Sequence, residues 1–88
     1  DPLGIKEHTF KDFAIYPNPS TGEVNISLNE TDLPADFEVI NLSGQAVKKG
    51  SLTKKQTKLD LSSLPSGIYT ITVSQKQKSQ TLKIVLNN

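Results

Sequence analysis

The sequence predicts an all-β domain built as an antiparallel sandwich, and three observations predict it. Short runs alternate apolar and polar residues, Val24-Asn25-Ile26-Ser27-Leu28 most cleanly. Clusters of Gly, Pro, Asn and Ser interrupt these runs at roughly 8–12 residue intervals. No segment sustains a helical period. About seven short antiparallel strands at that spacing form the pattern of an immunoglobulin-like β-sandwich. A chain of 88 residues is one domain. It lacks both the disulfide and the packed Trp of antibody domains, because it has no Cys and no Trp.

Residues 1–10 carry Pro2, Gly4 and charges without a period, and they read as a linker remnant ahead of a domain over 11–88. Phe13 to Tyr16 is a first short strand. The run Pro17-Asn18-Pro19-Ser20-Thr21-Gly22 ends it, since two prolines remove two ladder donors. Val24 to Leu28 is the second strand. The polar stretch from Asn29 to Asp36 contains Pro34 and at most one helical turn. Phe37 to Leu42 is the third strand, and its phase slips at Ile40, as at a bulge or under burial on both faces. Ser43-Gly44-Gln45 is a tight turn, with Ala46 to Lys48 returning from it as a hairpin partner. Residues from Gly50 to Gln56 read as a polar connection. Thr57 to Leu61 alternates again, and Ser62 to Gly67 is a turn-rich corner. Ile68 to Val73 is the strongest strand, rich in β-branched and aromatic residues. In it Tyr69 is in phase with Ile71 and Val73, so the ring packs inward and the hydroxyl needs a partner. Gln80 to Leu86 closes the sheet, with Leu82, Ile84 and Leu86 in phase.

Composition narrows the function. Without Cys there is no disulfide, no thiolate nucleophile and no soft metal ligand. No apolar run approaches the roughly 20 residues that span a bilayer as a helix. No signal peptide is visible, so an exported protein with this sequence requires a preceding segment. Residues 1–47 hold eight acids against Lys6 and Lys11, and residues 48–88 hold eight Lys against Asp60 alone. Every base is Lys, none Arg. Nucleic-acid sites exploit the bidentate guanidinium, so this balance reads as a solvated face and no nucleic-acid partner is expected.

The search for chemistry yields no catalytic set. His8 is the single histidine and falls in the linker, with no nucleophile or orienting acid tied to it. Glu30, Asp32 and Asp36 share one loop, but their spacing does not fit a Ca²⁺ loop, and they read as solvent-facing acids. The expected enzyme, metal and cofactor assignments are none. The sequons at Asn25, Asn29 and Asn41 matter only in a eukaryotic secretory pathway.

Three ordered stretches carry a family resemblance: Tyr16-Pro17-Asn18-Pro19 with Ser20-Thr21-Gly22, then Asn41-Leu42-Ser43-Gly44, then Leu64-Pro65-Ser66-Gly67-Ile68-Tyr69. A closing run, Thr81-Leu82-Lys83-Ile84-Val85-Leu86, follows them. In order and spacing the set resembles the type A C-terminal sorting domain of the type IX secretion system. Leu3-Gly4-Ile5 with Glu7 looks like that family's linker junction, so the likeness spans about Gly4 to Leu86.

The resemblance implies a non-catalytic secretion signal. It implies a covalently linked upstream cargo that enters the periplasm and is exported through the outer-membrane translocon with its shuttle proteins. A surface cysteine-protease sortase then usually removes the domain, and the cargo reaches the cell surface or medium. The family's motif residues fall here on Pro17, Asn18 and Pro19, on Gly44, on Gly67 and Tyr69, and on Lys83, Ile84 and Val85. The chain departs from the pattern at its end, Leu86-Asn87-Asn88, where many members place another Lys. The glycines also suit turns that need φ > 0, and the prolines suit a strand end. The terminal strand is the expected point of direct recognition, since an edge strand offers unpaired N–H and C=O groups to a partner or to a second copy in a dimer. The alternative function is a carbohydrate-binding or cell-adhesion sandwich.

Overall fold

Seven strands form two antiparallel sheets in the computed structural model, which describes residues 13–76 and 78–87. The strands are β1 (Ala14–Tyr16), β2 (Glu23–Ser27), β3 (Ala35–Ile40), β4 (Ala46–Leu52), β5 (Gln56–Asp60), β6 (Gly67–Gln75) and β7 (Lys78–Leu86). One sheet has the order β1-β2-β5 and the other β4-β3-β6-β7. The expected sandwich is therefore present. In the constant-type immunoglobulin arrangement the fourth strand joins the first sheet. Here β4 stays beside β3 in the second. The expected linker at residues 1–10 lies outside the described residues, as do His8 and the junction around Gly4.

The core follows from period-2 patterning. Val24 and Ile26 of β2 and Leu59 of β5 face Phe37 and Val39 of β3, Ile71 and Val73 of β6, and Ile84 and Leu86 of β7; all are buried. Leu61, just beyond β5, is also fully buried. The β3–β4 pairing shifts at Ile40: Val39 pairs with Lys48 but Ile40 with Ala46, which leaves Val47 as the extra residue on β4. β3 itself keeps its alternation, and Ile40 breaks only the hydropathy pattern, as a half-buried side chain on the outer face.

Two expectations need correction. The polar stretch from Gly50 belongs partly to β4, which runs to Leu52. Gly50 has no side chain to give a hydropathy signal, yet it pairs with Phe37, and a Cβ there would meet that ring at 3.0–3.1 Å. Asp32 is not a solvent-facing acid. It lies in a single 3-10 turn, Glu30–Asp32, opened by Asn29, whose Oδ1 accepts from the Thr31 N–H at 2.9 Å. The Asp32 side chain is 2% exposed, and Lys78 Nζ donates to its Oδ1 at 2.8 Å. This ion pair ties the β2–β3 connection to the start of β7. Oδ2 of Asp32 is buried and has no hydrogen-bond partner.

Removing the cation leaves that carboxylate uncompensated. Lys78→Met is expected to lower unfolding free energy by about 1–3 kcal/mol, less than a fully buried pair because Lys78 is partly solvated. Ile84→Ala is expected to lose about 2–4 kcal/mol by opening a core cavity. Urea unfolding monitored by circular dichroism checks both; a loss under 0.5 kcal/mol for either would contradict the packing described.

Candidate functional site

The three sequence signatures, far apart along the chain, meet at one end of the four-stranded sheet. That end comprises the finish of β3 and β7, the start of β4 and β6, and the β1–β2 connection.

The β1–β2 connection leaves its own sheet and lies along the open edge of β7. The Asn18 side chain does this as a peptide group would. Its Nδ2 donates to the Lys83 carbonyl at 3.0 Å, and its Oδ1 accepts from the Val85 N–H at 3.0 Å. Ser20 continues the contact in a parallel bridge opposite Leu86. Its N–H donates to the Val85 carbonyl at 2.9 Å, and its carbonyl accepts from the Asn87 N–H at 2.7 Å. Flanking prolines suit such a strap, since Pro17 and Pro19 have no N–H to leave unmet. Both X–Pro bonds here are cis.

Ser20 is 1% exposed, and its Oγ accepts from the Gly22 N–H at 3.0 Å and donates to the Glu23 carbonyl at 2.7 Å. That hydroxyl turns the strap back into β2. Gly22 has φ +131°, and a Cβ on it would meet Ser62 Cα and Cβ at 3.0 Å. The sequence places both in the first signature stretch and gives Gly22 a turn, but it does not mark them as site residues.

The β3–β4 turn is organised by Asn41. Its Oδ1 accepts from the N–H groups of Ser43 at 2.9 Å and Gln45 at 3.0 Å, and its carbonyl accepts from the Gly44 N–H at 3.0 Å. Gly44 takes φ +86°, as expected for such a turn. The turn leaves Leu42 at its tip, 78% exposed.

The corner before β6 is held by Tyr69. The ring is 6% exposed, and Oη donates to the Pro65 carbonyl at 2.7 Å, four residues upstream. This is the tyrosine corner found in many sandwiches. Gly67 opens β6 opposite Leu86, and Ile68 pairs with Val85 on the outer face. Residues 41–43 and 66–69 line an open depression of about 230 Å³. That is smaller than ordinary small-molecule sites.

The predicted site residues thus divide by role. Pro17, Asn18 and Pro19 form the strap, Gly44 and Gly67 shape turns, and Tyr69 locks the corner. Lys83 is exposed, Val85 is half-buried on the outer face, and Ile84 is fully buried. Ile84 is out of a partner's reach while the domain is folded. The β7 edge is also less open than expected: the strap covers it from Lys83 to Asn87, leaving only the part near Ser79 and Thr81. On the opposite flank, edge strands β4 and β5 carry Lys48, Lys49 and Lys58, charges that discourage strand addition. Asp60 lies on that flank. Hydrogen bonds from the Ser62 hydroxyl and backbone N–H hold its carboxyl below the usual 3.8, aided by Lys48. Among the described residues no group of three metal-ligating side chains occurs. Tyr16 is the one exposed aromatic side chain among the described residues.

The class defined by this architecture is a small two-sheet sandwich whose signature residues gather at one end. The chain belongs to the secretion-system C-terminal sorting domain family, whose model matches residues 14–87. Among solved structures it is similar to PorZ of Porphyromonas gingivalis, described as an essential bacterial surface component of the type-IX secretion system. That match has a TM-score of 0.70 at 17% identity, and it covers 88% of this chain and 12% of PorZ. At that identity it speaks for the fold. No curated protein matches the chain.

Two consequences are measurable. Ser20→Ala strands two buried backbone partners and is expected to cost about 1–3 kcal/mol, and Asn18→Ala about 1–2 kcal/mol; chemical denaturation reads both, and unchanged stability would refute the strap. For Asp60, a depressed folded pKa means a stabilising contribution that is full above the usual carboxylate value and lost as pH falls below about 4. Asp60→Asn should therefore flatten the acid limb of the stability–pH curve, seen by thermal melts from pH 7 to pH 2.

Proposed function

We propose that this domain is a non-catalytic sorting signal that directs an upstream cargo across the outer membrane through the type IX translocon. The observation that carries this reading is the convergence of the three family signatures on one end of the folded sheet. Segments separated by 65 residues, such as Asn18 and Lys83, are in direct contact there. A machine that reads this end recognises a folded domain and passes over unfolded chains. The signal then resides in a surface, with Ile84 and Tyr69 supporting it from below and the strap closing its side.

In this reading, cargo carrying a Sec signal reaches the periplasm, and shuttle proteins and translocon take it to the surface or medium. A surface cysteine-protease sortase cuts in the linker ahead of the domain. The domain contributes recognition only; among the described residues, Ser20, Ser62 and Asp60 serve turns, Tyr69 locks a corner and Asp32 pairs with Lys78.

The test is a fluorescent protein with a Sec signal fused ahead of residues 1–88, expressed in a type IX-competent cell and in a translocon-deficient sibling. Fluorescence is expected at the surface or in the medium of the first and in the periplasm of the second. A sortase-competent host should also release the reporter about 9 kDa smaller. Equal retention, or equal release, in both cells would sink the reading.

A further inference from the structure

We infer that the outer face of the four-stranded sheet, at the signature end, is an apolar docking patch anchored by Leu42 and Ile68. Its occupant would be a component of the outer-membrane secretion machinery presenting an apolar side chain next to a carboxylate. The inference rests on the sorting reading above and names the face and the chemistry through which that reading operates.

Exposure singles out the patch. Among the described residues three large hydrophobic side chains are exposed: Leu42 at 78%, Ile68 at 40% and Tyr16 at 40%. All three lie within signature stretches. Leu42 and Ile68 line the same depression, although 26 positions apart in sequence. Val85 sits directly across from Ile68 on the neighbouring strand, on the same outer face. Half-buried Ile40, also facing outward, extends the patch towards β3. Its row runs Ile40–Thr70–Lys83 across three strands.

Local folding does not require Leu42 or Ile68 to be apolar. The β3–β4 turn is held by the Asn41 carboxamide and the Gly44 backbone, neither of which uses the Leu42 side chain. Ile68 points away from the core that Tyr69 and Ile71 enter. Elsewhere the outer face of this sheet is polar, with Thr72, Ser74, Thr81 and Ser79 in adjoining rows. A solvent-facing role would be met as well by Thr or Ser. Exposed apolar side chains gathered at one place mark an interaction surface.

Charge gives the partner's second feature. Lys83 is exposed and projects from the outer face in the row beside Ile68 and Val85. Its row carries no acid across β3, β6 and β7, the nearest on this face being Glu38 two positions along β3. An apolar anchor with a neighbouring carboxylate would satisfy both, the anchor giving affinity and the charge pair orientation. The strap bounds the patch on its β7 side and denies that edge to added strands, so side chains rather than backbone ladders would make the contact.

The experiment uses the reporter fusion with four changes to residues 1–88: Leu42→Ser, Ile68→Thr, their combination, and Lys83→Glu. Thr keeps the β-branching that suits a strand. Each variant is first shown to melt within a few degrees of the parent. The double variant and Lys83→Glu are each expected to reduce export about tenfold or more, with Lys83→Arg close to parent. Parent export with undiminished export of the folded double variant would overturn the patch and leave the sorting reading standing. Failure of the parent itself would overturn the sorting reading and this inference with it. Light scattering supplies the remaining check: a parent domain that dimerises, with a monomeric double variant, would assign the patch to a second copy and overturn the machinery as occupant.

Discussion

One side-chain amide closes the fold. β7 is the outermost strand of its sheet, so half of its backbone groups point away from β6 and would be open to any passing strand. The Asn18 carboxamide supplies one donor and one acceptor in the geometry of a peptide, and the Ser20 backbone supplies the next pair. This strap joins the two sheets along one flank, since it begins at β1 of one and lies on β7 of the other.

The strap also explains why the signature positions belong together. It registers the end of β7, and β7 in turn registers the start of β6 through the Gly67–Leu86 and Ile68–Val85 pairs. The start of β6 is held from behind by the Tyr69 hydroxyl on Pro65. The β3–β4 turn lies against the same corner. Each signature is thus a local device for placing a neighbour, and together they present one surface. The two flanks solve the edge problem differently: the strap covers one, and lysines on β4 and β5 guard the other.

Burial divides the terminal segment between core and surface. Lys83, Ile84 and Val85 are consecutive, yet alternate positions of a strand face opposite ways. Ile84 belongs to the core, whereas Lys83 and Val85 belong to the surface. Domains of this size have stabilities on the order of 4–13 kcal/mol. A substitution at Ile84 therefore acts through folding, and one at Lys83 acts at the surface. Trimming β7 would likewise remove Ile84 and Leu86 from the core.

Much of this was legible in the sequence. Alternation placed the strands around Val24 to Leu28 and Ile68 to Val73, and Tyr69 turned inward with a hydroxyl that required a partner, whereas the apolar Ile40 marked an outward half-buried position beside a bulge that lies on β4. These are local properties of the chain, set by period-2 geometry and turn chemistry, and a few neighbouring residues suffice to reveal them. The order of the signature stretches likewise pointed to the family. Tertiary structure alone decided which elements became neighbours. Asn18 between two prolines reads locally as a turn residue, and nothing near it announces Lys83 and Val85. Asp32 reads as a loop acid until Lys78, 46 positions on, is placed beside it. The second half of β4 was hidden because its inward position is a glycine covered by Phe37. Leu42 and Ile68 read as ordinary strand residues until the packing left them outside. Strand periodicity is written in adjacent residues, whereas the partner of a strand edge, a buried carboxylate or an exposed leucine depends on contacts between residues distant along the chain.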